Sequence, residues 1–346
     1  MKRSLKYILI INLFISVQNI IAQSVLLDSI YSSTFNSYRN IDIYVPYGDE
    51  KFPVIYVLDA QMHFGLLKEH VAFLSGDNMS IIPKMIVVGI HSKDRYLELT
   101  PNEYKMGPYD KMGGDGPKLT AFITQELIPH IDKNYNTAPY RTYVGHALGG
   151  LHVLNTMMDE TNVFNNYVIS DPSMFWGNNY TINKLKKEFN SNHLKEKQLY
   201  IAASNSTGNP NAEPNKILES TEISSLFLRN ILILNNEIST QKDTNYQFNY
   251  FENDSHSTVA GSAYYDALKH LFSWYYFPKN TLFEYYSKTS KKTPEDLTAK
   301  LNGYYKMISK NLGYTIRPKE KYIKDLASYF KKIGKPEFEK VLLDLL

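Results

Sequence analysis

Continuous apolar runs of strand length recur along the chain, at residues 53–58 (PVIYVL), 84–90 (KMIVVGI) and 166–170 (NYVIS), set apart by stretches of helical pattern. A strand buried on both faces reads this way, because neither side of its pleat meets water. Runs at 141–144, 198–203 and 246–252 continue the series, and helices are predicted over 119–135, after Gly149, over about 215–235 and over 260–275. Upstream, residues 24–46 are β-like: 39–45 alternate polar and apolar as a half-buried or edge strand does, until Pro46 and Gly48 break the run. Strands alternating with helices require crossovers, so the pattern predicts an α/β fold with a mainly parallel sheet covered by helices on both faces. Ligands in such a sheet bind beyond the carboxyl ends of the strands.

After about Lys279 the pattern changes. Thr293 is placed to cap a helix, with Pro294 in its first turn and Glu295 and Asp296 near its positive end, and Leu297, Leu301, Tyr304, Ile308 and Leu312 share one face until Gly313. Pro318 and Gly334 bracket a second helix with Tyr322, Leu326, Tyr329 and Ile333 expected inward, and Pro336 opens a last one. Residues 280–346 therefore read as a small helical appendix, a single helical-repeat hairpin. A lone repeat is rarely stable by itself, so it is expected to dock on a main domain of residues 23–279.

At the other end, Lys2, Arg3 and Lys6 precede an apolar run over 7–17, and Ile20, Ile21 and Ala22 precede Gln23. Residues 1–22 have the form of a secretory signal peptide, too short to span a bilayer and cut after Ala22. The chain has no cysteine, which excludes disulfides, a thiol nucleophile and a lipid-anchor cysteine at the cleavage point. Export to the periplasm or the medium, without a stable membrane anchor, is the expectation.

The 346 residues, 43% of them apolar, suffice for one large α/β domain with a small extra unit. The formal charge of +3 is unevenly placed: residues 281–346 carry 14 Lys/Arg against 8 Asp/Glu, the first 22 carry +3, and the body between is left at −6. A weakly acidic body argues against nucleic acid as a partner, and the basic tail reads as a solvated helical surface.

The candidate chemistry lies at residues 140–150 (YRTYVGHALGG), where a β-prone stretch ends in a glycine-rich corner and Leu151, Leu154 and Met158 then recur at helical spacing. In the nucleophile elbow G-x-S-x-G, the central residue sits on a strained strand-to-helix turn and the flanking glycines let the two backbones approach. Gly145 and Gly149 occupy the flanking places, and Ala147 stands at the centre with a methyl group where the chemistry needs a hydroxyl. An elbow calls for a downstream histidine to take the nucleophile's proton and a carboxylate to fix that histidine's tautomer. His256 stands in the expected place, in the polar loop 252–258 (ENDSHST) after the last predicted strand. His146 belongs to the elbow itself, and His130, His152, His193 and His270 fall where surface or core histidines are expected. No His/Asp/Glu set has metal-ligand spacing and no phosphate loop is present, so no cofactor is expected.

From about residue 28 to 276 the chain resembles the esterases of the α/β-hydrolase fold, the group that includes ferric-enterobactin-type siderophore esterases and related secreted hydrolases. Residues 53–59 (PVIYVLD) look like the strand leading to that family's oxyanion loop, and 88–95 (VGIHSKDR) with 99–101 (LTP) resemble its "VGI…R…LTP" segment. Residues 122–129 (FITQELIP), with Ile131, Asp132 and Tyr135, are similar to its helix before the elbow; 141–150 are the elbow, and 171–176 (DPSMFW) resemble the segment after the next strand.

The resemblance implies a serine at position 147, from which this chain departs. For the triad acid, Asp171 at the tip of strand 166–170 is favoured over Glu213, the first carboxylate in the loop after 198–203, because a strand tip is held more rigidly than an Asn- and Pro-rich loop. Asp254 is too near His256 in sequence. The oxyanion donors would be the backbone N–H of Leu148 and one from the loop at Asp59, Ala60 and Gln61. Tyr96, Tyr104, Tyr109 and Trp176 lie on segments expected to rim the site, although the 28 tyrosines as a whole read as packing.

The implied function is a secreted serine-type hydrolase of small-molecule carboxylic esters, catalytically dead or nearly so with Ala147 in place, as in a serine-to-alanine substitution that traps a substrate. A natural non-catalytic ligand-binding protein and an acyltransferase are the alternatives. Retention of His256 and the acids favours the first reading, since a site freed from catalysis has little physical need for an imidazole in that loop.

Overall fold

A computed structural model of the chain describes residues 24–76, 79–105, 111–160, 162–241, 245–287 and 289–346; the expected signal peptide and Tyr109 lie outside the described residues. Among the described residues ten strands follow in chain order: β1 (Ser24–Ser32), β2 (Ser37–Val45), β3 (Phe52–Leu58), β4 (Ile86–Ile90), β5 (Glu103–Lys105), β6 (Lys111–Gly113), β7 (Thr137–His146), β8 (Asn166–Ser170), β9 (Gln198–Ser204) and β10 (Asn245–Phe251). Eight of them form one sheet in the order β1-β2-β4-β3-β7-β8-β9-β10, and β5 and β6 form a small ribbon. β1 and β2 pair antiparallel, as do β2 and β4, and every other pair in the large sheet is parallel.

The apolar runs become strands because successive side chains feed two separate cores. Val54, Tyr56 and Leu58 of β3 pack with Leu151, Leu154 and Met157 of the helix Leu148–Asp159 on one face. Ile55 and Val57 pack with Leu67 and Val71 of the helix Ala60–Ser75 and with Ala263 and Leu268 of the helix Val259–Leu271 on the other. A strand with no polar side is what a sheet covered on both faces demands. Among the described residues no helix is long and apolar enough to cross a membrane.

Two expectations are corrected. The helix expected over 215–235 is broken into Pro214–Glu219 and Leu226–Ser239. Ser220 ends the first piece in an extended conformation and its hydroxyl accepts from the Glu222 N–H at 3.2 Å, a local bond that competes with the helical ladder. In the helix Glu320–Lys332 the inward stripe is Ile323, Leu326, Ala327 and Phe330, while Tyr322 and Tyr329 face solvent.

The appendix comprises Pro294–Leu312, Glu320–Lys332 and Glu337–Leu343. The capping box of Thr293 and Asp296 opens it, and Gly313 closes the first helix at φ 76, a left-handed turn that suits glycine. Its contacts with the body fall at the amino ends of the parallel strands: the Tyr314 hydroxyl donates to the Lys51 carbonyl at 2.7 Å just before β3, and Gly313 packs on Pro139 at the start of β7. A cleft of about 610 Å³ lies at this junction, between Asp49, Lys84, Asn136, Tyr275, Tyr314 and Arg317.

One buried ion pair ties β2 to the loop after β4. Arg39 reaches both oxygens of Glu98, at 2.7 and 2.6 Å, with both side chains out of water. Glu98→Ala would strand a buried guanidinium, and the expected cost is about 3–5 kcal/mol in urea unfolding. A loss under about 1 kcal/mol would show that water reaches Arg39 there.

Candidate active site

The carboxyl ends of three neighbouring parallel strands each finish on a residue held at positive φ: Asp59 (φ 54) after β3, Ala147 (φ 55) after β7 and Asp171 (φ 46) after β8. Such backbone strain costs on the order of 1–3 kcal/mol per residue and persists where surrounding structure enforces it. Ala147 has ψ −118 and stands directly before the helix Leu148–Asp159. Its N–H donates to the Ser170 carbonyl at 3.1 Å, and its carbonyl accepts from the N–H groups of Leu151 and Ser173, both at 3.0 Å. At Gly145 a Cβ would lie 2.3 Å from the Gly149 carbonyl oxygen, so the turn closes only with glycine there.

His256 lies in the loop after β10, and its Nδ1 is 2.6 Å from Asp171 Oδ2. With a carboxylate as acceptor, Nδ1 carries the proton and Nε2 keeps its lone pair. Asp171 is fully buried and held on its other side by Ser204 at the end of β9, whose N–H and hydroxyl both donate to it at 2.7 Å. The loop is tied to the elbow from below: His146 Nε2 is 2.8 Å from the His256 carbonyl oxygen, which makes Nε2–H the donor. Phe227 stands edge-on to the His256 ring at 4.8 Å, and Phe175 lies 5.9 Å from Phe227.

The structure thus gathers Ala147, Asp171 and His256, and leaves Glu213 elsewhere. Glu213 is exposed and pairs with Lys216 at 2.7 Å. Leu148, Ala60 and Gln61 lie in the first turns of their helices, where backbone N–H groups have no partner in the helix ladder. The two corners approach closely, since a Cβ added on Gly149 would lie 3.4 Å from Leu58 Cβ and 3.5 Å from Asp59 Oδ2. Asp59 is held in turn by Arg95, with Nε 2.8 Å from Oδ1 and Nη2 3.0 Å from Oδ2. Trp176, expected to rim the site, is buried instead; its indole N–H donates to the Asn102 carbonyl at 3.0 Å and its ring backs Tyr96 and Tyr104. The physical reason is packing: the large apolar ring is taken into the core with Leu99, Phe122 and Met174, and a left-handed run at Gly177, Asn178 and Asn179 (φ 60, 54 and 63) follows it.

Sequence reasoning missed Ser204, whose signal was its place at the end of the strand beside Asp171. It also missed a row of imidazoles, His63, His146 and His256, with successive ring centres 5.2 and 4.6 Å apart. His63 is 6% exposed and neither ring nitrogen has a hydrogen-bond partner in the protein. Burial, and then the Arg95 charge, pushes His63 down to about 4. Burial, followed by the neighbouring His256 and His63, pushes His146 down to about 4, and burial does the same to His152.

These three rings are neutral when folded and become protonatable on unfolding, near the ordinary 6.5. The unfolded chain therefore binds more protons between about pH 6.5 and 4, so stability is full above about 6.5 and falls as the pH drops through that window, by up to about 3 kcal/mol per ring. The melting temperature should be level from about pH 7 to 8 and decline steeply below 6.5, with the ring signals of these histidines untitrated above about pH 5 in proton NMR. A melting temperature that stays level down to about pH 4.5 would contradict the neutral buried rings.

The sequence matches the pattern of a family described as "Putative esterase" over residues 32–225. It is 28% identical over 149 residues to the ferri-bacillibactin esterase BesA of Bacillus subtilis (strain 168), a match covering 38% of this chain and 52% of BesA, so the chain spans about half the length of that curated relative. Among solved structures, an IroE-like serine hydrolase from Shewanella oneidensis is similar with a TM-score of 0.74 at 23% identity, covering 93% of this chain and 98% of that one. The siderophore hydrolase EstA from Aspergillus nidulans gives a TM-score of 0.61 at 17% identity, covering 72% and 94%. At these identities the structural likeness shows the fold, that of the α/β-hydrolases.

Proposed function

The chain belongs to the esterase family, and from that premise we propose that it is a serine-type carboxylic-ester hydrolase by design which, with Ala147 at the nucleophile position, binds its small-molecule ester and hardly turns it over. The observation that carries this reading is the 2.6 Å contact between His256 Nδ1 and the buried Asp171 carboxylate, on a loop fastened to the elbow. In a hydrolase that pair leaves Nε2 free to receive a proton at the elbow.

In the serine form, the hydroxyl proton passes to His256 Nε2 as the oxygen attacks the ester carbonyl, and Asp171 stabilises the imidazolium. The oxyanion meets the N–H of Leu148 and one from Ala60 or Gln61. The protonated ring then gives its proton to the departing alcohol, and water releases the acid by the same steps in reverse. With a methyl group at 147, binding and oxyanion stabilisation remain and attack does not. The substrate class suggested by BesA and the siderophore hydrolases is a siderophore ester, and export through a signal peptide cut after Ala22 belongs to the same reading.

A second reading rests on Ala147 itself: a natural protein that keeps the pocket to hold a ligand. The test is a p-nitrophenyl acetate and butyrate series on the chain and on its Ala147→Ser form. Hydrolysis gained with the serine supports the enzyme; a folded serine form that is inert across a broad ester panel makes the pocket a binding site.

A further inference from the structure

Spacing along the sequence groups no metal ligands, yet folding brings one donor atom each of His146, Asp171 and His256 within 4.8 Å of one another. A third imidazole, His63, lies 5.2 Å from His146 by ring centres, 94% out of water and without a partner for either nitrogen. A buried polar group left so costs about 1–3 kcal/mol unless something other than the chain satisfies it. Two imidazoles and a carboxylate at this separation, with another imidazole alongside, are a donor set that suits borderline divalent ions. We propose that the cluster binds a divalent transition-metal ion of the zinc class, held by His146, Asp171 and His256, with His63 as the neighbouring imidazole that supports the site.

The ion enters between His256 Nδ1 and Asp171 Oδ2, in place of the proton they share. Zinc bonds to nitrogen and oxygen measure about 2.0–2.2 Å, so two ligands around one ion sit a little over 3 Å apart, and the present 2.6 Å must widen by less than about 1 Å. His256 is the partner able to move, being 39% exposed and carried on a loop. Asp171 stays where it is, with both Ser204 bonds intact to orient its carboxylate for the ion.

When the ion takes Nδ1, the ring remains neutral by carrying its proton on Nε2. That nitrogen can then accept no proton from a serine at position 147, so metal and ester hydrolysis exclude each other. The cluster is the same with alanine or serine at 147, and the proposal stands apart from the hydrolase reading.

The full chain, free of any affinity tag, is titrated with ZnCl₂ by calorimetry and with CoCl₂ by visible absorption, in a non-chelating buffer. One ion per chain at micromolar or tighter affinity is expected, with the stronger cobalt bands of a four- or five-coordinate site. His146→Ala and His256→Ala should each weaken binding by about tenfold or more, and His63→Ala by less. Should His146→Ala fail to fold by circular dichroism, His146→Asn replaces it. No saturable binding, or binding unaffected by changes at both His146 and His256, overturns the site. Zinc should also inhibit an active Ala147→Ser form, and full activity with zinc bound at one equivalent would overturn the assignment to His256. The calorimetric and cobalt arms use no ester, so an inert serine form counts against the hydrolase reading alone.

Discussion

Ala147→Ser is expected to raise hydrolysis of an activated ester by several orders of magnitude. The change adds one oxygen at a position whose backbone is already at φ 55, ψ −118 and fixed by hydrogen bonds to Ser170, Leu151 and Ser173, so the elbow needs no rearrangement. Loss of a catalytic serine costs on the order of 10⁶ in kcat, while oxyanion binding and positioning still leave about 10³ to 10⁴ over water. The gain on restoring it should approach that scale if His256 and Asp171 stand as described. Adding His256→Ala to the serine form should remove the gain, because the serine then has no base. Equal rates for the single and double variants would mean that the imidazole takes no part.

In the serine form, Asp171→Asn should cost about 10⁴ in kcat, the scale seen when a triad acid is replaced by its amide. An amide can present its N–H₂ to His256 Nδ1 and so favour the tautomer whose lone pair faces the wrong way. It also loses charge where two Ser204 donors and the imidazole converge. Glu213→Gln should change the rate by no more than a few-fold, since Glu213 is exposed and its partner is Lys216. Steady-state kinetics on both variants decide the matter, and a large loss from Glu213→Gln with little from Asp171→Asn would reverse the assignment.

What could be read from the sequence and what could not separate along one line: distance along the chain. The strands of the sheet core and the elbow are local patterns, and the run at 141–144 needed only extension to Thr137–His146. Asp171 was reachable because a strand tip is a local feature. Ser204 bonds to a residue 33 positions away, His256 to one 85 away, and His146 reaches a carbonyl 110 away, and no periodicity encodes such meetings. The second appendix helix failed for a different reason. Tyr322 and Ile323, and Tyr329 and Phe330, are adjacent apolar pairs, so the sequence allows two phases and packing against Leu297, Leu301 and Phe338 selects one.

The appendix docks where the parallel strands begin, while Ala147, Asp171 and His256 gather where they end. Its residues carry 14 positive against 8 negative side chains, and the body they sit on is acidic. The folded chain is therefore electrically polar along the strand direction, with its cationic pole on the face remote from the candidate site. Near an anionic surface such a molecule turns its basic end inward and leaves the mouth of the site toward the medium. At physiological salt this orienting pull extends only about 8 Å from the surface, so it acts on adsorbed molecules and not on those in free solution.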